Sequence, residues 1–156
     1  MSQKDPTLTW WNPTQHPFQV LEGQAWPDEV QAPYDRLPCR TFDQIAPEIW
    51  GLSRHSAGLI IRFRSDAKEI KIRYLTNSKN PRSMNHMSTT GVSGLDLYAI
   101  NSDGMELWCA GERNFGDTLI YVYPHLNPND GYHDRGREYR LYLPLYNQVT
   151  WMEIGV

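Results

Sequence analysis

The sequence predicts an all-β chain: a single antiparallel β-sandwich, jelly-roll-like in type. Short runs rich in Val, Ile, Leu, Tyr and Trp recur along it, several with alternating apolar and polar residues. Turn-forming residues separate these runs at short intervals, and no stretch sustains a helical period. At 156 residues the chain fits one domain, spanning 1–156, and is long enough to bury a substantial core.

The opening stretch, LTWWNPTQHPFQVLEGQAWPDEVQAPYDRLP (8–38), is punctuated by proline and reads as short strands and ordered loops. LIIRF (59–63) and EIKIRY (69–74) read as strands, and the turn-like RSDAK between them suggests a hairpin with one wet face. The polar segment 75–94 has no period and reads as a long loop, a kind of segment that often carries function. LDLYAI (95–100), an Asn-Ser-Asp-Gly turn and MELWCA (105–110) make a second hairpin. TLIYVY (118–123), YRLYLPLY (139–146) and VTWMEIGV (149–156) complete the strands, with the polar loop PHLNPNDGYHDRGRE (124–138) between the first two.

The formal net charge is −3, and no Lys/Arg cluster forms a phosphate-tracking stripe, so nucleic acid is not an expected partner. No apolar run approaches the roughly 20 residues of a membrane helix, and the polar start lacks the apolar middle of a signal peptide. On the chain as given the compartment is cytoplasmic, or extracytoplasmic if an export signal has been removed. Two cysteines, Cys39 and Cys109, are too few for a disulfide framework, and their pairing is open. The six Trp, nine Tyr and four Phe are either core or a platform for flat ligand faces.

Several fragments echo hydrolase signatures. GVSGL (91–95) resembles a G-x-S-x-G elbow but has Leu95 where the last glycine belongs, and it leads into a strand instead of a helix. GDTL (116–119) and Asp130-Gly131-Tyr132-His133 echo paired esterase blocks, yet threonine stands at the nucleophile position. His125, Asp130, His133 and Asp134 match no established metal spacing, and no phosphate-binding glycine loop occurs. Neither metal nor cofactor is expected. Arg54 and His55 in SRHSAG (53–58), and Asn85 and His86 in SMNHMS (83–88), are the more interesting polar groups.

YDRLP (34–38), LSRHSAG (52–58), MNHMSTTGVSGLDLY (84–98), FGDT (115–118) and YLPLYN (142–147), in that order, resemble the N-terminal β-sandwich of two-domain SGNH/GDSL hydrolases, which bears a GxDLY signature. The resemblance runs from about Trp10 to Val156. It implies a non-catalytic accessory domain followed by an α/β esterase domain that removes acyl groups, often from carbohydrates, and whose substrate cleft the sandwich helps to shape. The catalytic half does not follow within this sequence, so the chain alone is expected to be inactive. Arg54, His55, Asn85 and His86 are then expected at the shared cleft. Gly94, Asp96 and Tyr98 are expected to be structural, Gly94 turning the chain into its strand and Asp96 accepting hydrogen bonds from loop N–H groups or from Arg54 or Arg62. A free-standing carbohydrate-binding module, stacking sugars on Trp10, Trp11, Trp26 or Tyr132, is the alternative. A third reading is an independent enzyme using His133 or Asp96.

Overall fold

The computed structural model describes residues 7–77, 83–126 and 135–156. Among the described residues are ten strands, of which the central ones carry inward apolar side chains: β1 (Trp10–Trp11), β2 (Leu21–Glu22), β3 (Ile60–Ser65), β4 (Ile70–Thr76), β5 (Asp96–Ile100), β6 (Glu106–Trp108), β7 (Glu112–Phe115), β8 (Leu119–Tyr123), β9 (Arg137–Tyr142) and β10 (Val149–Gly155). They form two five-stranded sheets, ordered β1-β10-β4-β8-β7 and β2-β3-β9-β5-β6, with every pairing antiparallel. Ile70, Ile72, Tyr74, Leu119, Met152 and Ile154 from the first sheet meet Ile61, Leu97, Tyr139 and Leu141 from the second in one core, as a β-sandwich requires. Each such aliphatic side chain, fully removed from water, contributes about 1.5–3 kcal/mol.

Two sequence expectations change here. β3 and β4 do not form a hairpin: β3 pairs with β2 and β9, and β4 with β10 and β8. Their inward residues face the same core from opposite sheets, so the connection over Asp66–Glu69 crosses between layers, with the Ser65 hydroxyl accepting from the Ala67 N–H at 3.0 Å. The run 139–146 is also not one strand. β9 stops at Tyr142, because Pro144 lacks the N–H that a continued ladder needs.

The structure adds elements the sequence did not announce. Helix α1 (Pro47–Ser53) starts with proline in its first turn, where the missing N–H costs nothing. Helix α2 (Thr89–Ser93) lies within the stretch read as a loop. β7 is a polar edge strand, joined to β8 through Gly116–Thr118. The hairpin of β5 and β6 is as expected, with Asn101 closing its turn by accepting from the Asp103 and Met105 N–H groups. Among the described residues no helix is long and apolar enough to cross a membrane.

Candidate functional site

Four of the quoted motifs meet at one end of the sandwich. Asp35, 1% exposed, is their hub. Its carboxylate accepts from the Ala32 N–H at 3.0 Å, from Gln148 Nε2 at 2.8 Å and from Arg54, whose Nε and Nη2 each lie 3.2 Å from one oxygen. A buried carboxylate is tolerable only when paired and hydrogen-bonded in this way. Gln24 Nε2 donates to the Asp35 carbonyl at 2.6 Å, and Arg36 donates to the Ser53 and Leu52 carbonyls at the end of α1.

The network continues through the segment after β9. The Ser56 hydroxyl accepts from the Val149 N–H at 2.9 Å, and the Asn147 carbonyl accepts from the Ser56 N–H at 3.0 Å. Asn147 Nδ2 donates to the Ser93 hydroxyl at 3.0 Å, the Tyr74 hydroxyl donates to the Ser93 carbonyl at 2.7 Å, and the Tyr146 N–H donates to the Val92 carbonyl. These bonds fix α1, α2 and the 143–148 loop relative to one another. The segments that this network joins, and the turn that precedes α2, carry exposed apolar side chains: Leu52, Met84, Leu145 and Tyr146.

Arg54 and His55 follow α1, and His55 packs edge-on against Tyr146 with ring centroids 6.4 Å apart. Partial burial, aided by the Arg36 charge, lowers the His55 pKa below its ordinary value. Asn85 and His86 occupy the tip of an exposed turn closed by reciprocal backbone bonds between Met84 and Met87. No hydrogen bond or ion pair among the described residues joins the two pairs directly. The turn that carries Asn85 and His86 rests on α2 through Met87, whose side chain lies against Gly91. Arg54 commits two of its three guanidinium nitrogens to Asp35, leaving Nη1 for any other partner.

Gly94 has φ of −83°, so a left-handed turn is not what requires glycine there. The requirement is space: a Cβ would lie 2.2 Å from the Thr90 carbonyl oxygen and 2.6 Å from the Tyr121 hydroxyl. Asp96 is exposed at the start of β5 and accepts from the Trp108 indole N–H at 3.3 Å. Neither arginine proposed for it is its partner, since Arg54 pairs with Asp35 and Arg62 with Glu138 and Glu22. Tyr98, two residues on, contacts Tyr142 edge-to-face at 5.5 Å.

Trp10 lies under the Arg73 guanidinium at 4.2 Å, and Trp26 under that of Arg40 at 4.7 Å. Trp11 packs against Phe63 and His16. Asp130, Tyr132, His133 and Asp134 lie outside the described residues. Among those described, no three His, Cys, Asp or Glu side chains gather as a metal site would need. Cys109 is buried and Cys39 exposed, both as free thiols.

Sequence reading pointed to Arg54 and His55 but missed Asp35, Ser56, Ser93, Asn147 and Gln148. The available signal was polar residues set beside aromatic or apolar ones, as in Tyr34-Asp35 and Tyr146-Asn147-Gln148. Such residues are buried only if their partners come with them.

Fold and site together define a two-sheet β-sandwich module with one end rigidly organised by a buried polar network. The chain belongs to the GxDLY family, the N-terminus of esterases of SGNH-hydrolase type, whose model matches residues 8–156. It is also similar to the crystal structure of a protein assigned as a GDSL-like lipase from Bacteroides ovatus. There the TM-score is 0.74 and the identity 25%, covering 96% of this chain and 40% of that one. The chain thus spans two fifths of that relative's length. A search of curated proteins returns no match.

Proposed function

We propose that this chain is a non-catalytic accessory module that packs against an SGNH-type esterase domain and completes its substrate cleft. The observation that carries the reading is the end just described, where exposed Leu52 on α1 and Leu145 and Tyr146 on the 143–148 loop stand on segments joined by a buried network, with exposed Met84 on the turn before α2. A docking surface gains from such rigidity, because little conformational entropy is lost when it is covered. On the same segments, His55, Asn85, His86 and Nη1 of Arg54 supply the polar groups for the cleft on this reading. Imidazole, amide and guanidinium groups can hold sugar hydroxyls or an acyl oxygen, and the substrate on this reading is an acylated carbohydrate.

The test uses the protein carrying this domain together with its hydrolase domain. The double variant Leu145→Asp, Tyr146→Asp is expected to lower kcat/KM for an acetylated xylo-oligosaccharide by about tenfold or more, as the loss of two buried apolar contacts allows. Turnover of 4-nitrophenyl acetate, which needs little of the cleft, should fall less. Equal activity of variant and parent on both substrates would refute the reading.

A further inference from the structure

We infer that the cleft between the edges of the two sheets, around Asp96 and Trp108, is a binding site for a neutral saccharide. Cys109–Gly111 carries the chain from β6 in one sheet to β7 in the other, so the two edges face each other there. Between them lies a cavity of about 270 Å³ lined by Thr90, Asp96, Trp108, Arg113, Tyr121 and Tyr123, among others. A second cavity of about 300 Å³ adjoins it, sharing Thr90 and Asp96 and adding Tyr98, Tyr142 and Leu145. The second is at the lower end of small-molecule sites, which run from about 300 Å³ upward, and the first lies just below it, so a small ligand would use the two together.

The lining selects the ligand. Asp96 and Arg113 share the first cavity without forming an ion pair, and Arg113 has no ion-pair partner among the described residues. Opposite charges kept apart by a cavity are best served by a ligand that offers donors to one and acceptors to the other while carrying no charge itself. Adjacent hydroxyls on a sugar ring do this. Tyr121 and Tyr123 form the buried inner wall of this cavity, the Tyr123 hydroxyl donating to the Leu95 carbonyl at 3.5 Å, so the groups left for a ligand are Asp96, Arg113 and Trp108. The Trp108 indole is 58% exposed and held by its bond to Asp96, which leaves a positioned aromatic surface for the apolar face of a ring. An anionic sugar meets Asp96 in both cavities and Glu106 in the second, while an acyl chain would strand the charges unpaired.

This inference rests on the carbohydrate part of the proposed function but not on domain packing. The first test is titration of the isotope-labelled chain with xylobiose, cellobiose and mannobiose, followed through the tryptophan indole N–H resonances. Trp108 is assigned by the signal lost in Trp108→Phe. A saturable shift of that resonance with at least one neutral disaccharide is expected, and none with glucuronic acid. Measured by calorimetry with the same disaccharide, since Trp108→Ala lacks the reporter resonance, binding should weaken by about tenfold in Trp108→Ala and in Arg113→Ala, the size of one aromatic or charged contact, and stay unchanged in Trp26→Ala. The other indole resonances report that each variant is folded. The inference is overturned if no neutral disaccharide shifts Trp108, or if binding survives both substitutions. Packing is read in the two-domain protein, so either idea can fail alone.

Discussion

Replacing Asp35 with alanine is expected to be among the most damaging single changes to this chain. The carboxylate is 1% exposed and takes three hydrogen bonds, from Ala32, Gln148 and Arg54 Nε, with Arg54 Nη2 in ion-pair contact at 3.2 Å. Alanine leaves the Gln148 amide and the Ala32 N–H without this acceptor inside the protein, at about 1–3 kcal/mol for each buried group. Arg54 is 30% exposed and can turn partly to water, which moderates its share. The total is roughly 3–5 kcal/mol, the range for breaking a buried ion pair from one side. For a domain of this size that corresponds to a fall in Tm of roughly 6–20 °C. The substitution Asp35→Asn would fare little better, because every partner is a donor and the new NH2 must face one of them. The control is Glu22→Ala, which removes a pair with Arg62 in which both side chains are about half exposed, so solvent screening leaves it little to contribute. Thermal unfolding followed by circular dichroism measures both. If Asp35→Ala lowers Tm no more than Glu22→Ala does, the network does not organise this end of the sandwich.

Gly94→Ala drives a methyl group to 2.2 Å from the Thr90 carbonyl oxygen, a backbone atom that cannot rotate away. The expected cost is about 2 kcal/mol, typical of overpacking, and urea unfolding should show a lower midpoint; an unchanged midpoint contradicts the steric reading. His55 gives a pH signature. Its imidazole is harder to protonate in the fold than in the unfolded chain. As pH falls through the ordinary histidine value of about 6.5, the unfolded state therefore takes up the proton first. The contribution of neutral His55 is thus complete above that pH and is lost on acidification. Between pH 7.5 and 5.5 the parent should lose more stability than His55→Gln; equal losses would show that His55 is not the group responsible.

The strands with a strict apolar alternation were legible from sequence because burial on one face leaves its period in the residues. Ile70, Ile72 and Tyr74 show it, as do Leu119, Tyr121 and Tyr123. Their partners were not legible. RSDAK carries turn chemistry whether it joins two strands of one sheet or crosses between sheets, and only the shared core decides which. β7 escaped notice because an exposed edge strand such as Glu112–Phe115 has no buried period to read. Helices α1 and α2 are seven and five residues long, too short to impose a helical pattern. The site was half visible for a related reason. Arg54 and His55 could be picked out as polar groups at a strand entrance, but Asp35, Ser93 and Gln148 acquire their meaning only from partners up to 113 positions away.

The most direct test of the central claim is hydroxyl-radical footprinting of the chain alone and of the chain joined to the SGNH-type esterase domain proposed for it. Leu52, Met84, Leu145 and Tyr146 are all exposed in the chain and all react with the radical, as do Phe18, Trp26 and Met105 elsewhere on the surface. The claim predicts that the first four become protected in the joined protein while the other three react as before. Protection of Phe18, Trp26 or Met105 in their place, or no change at any of the seven, would contradict it.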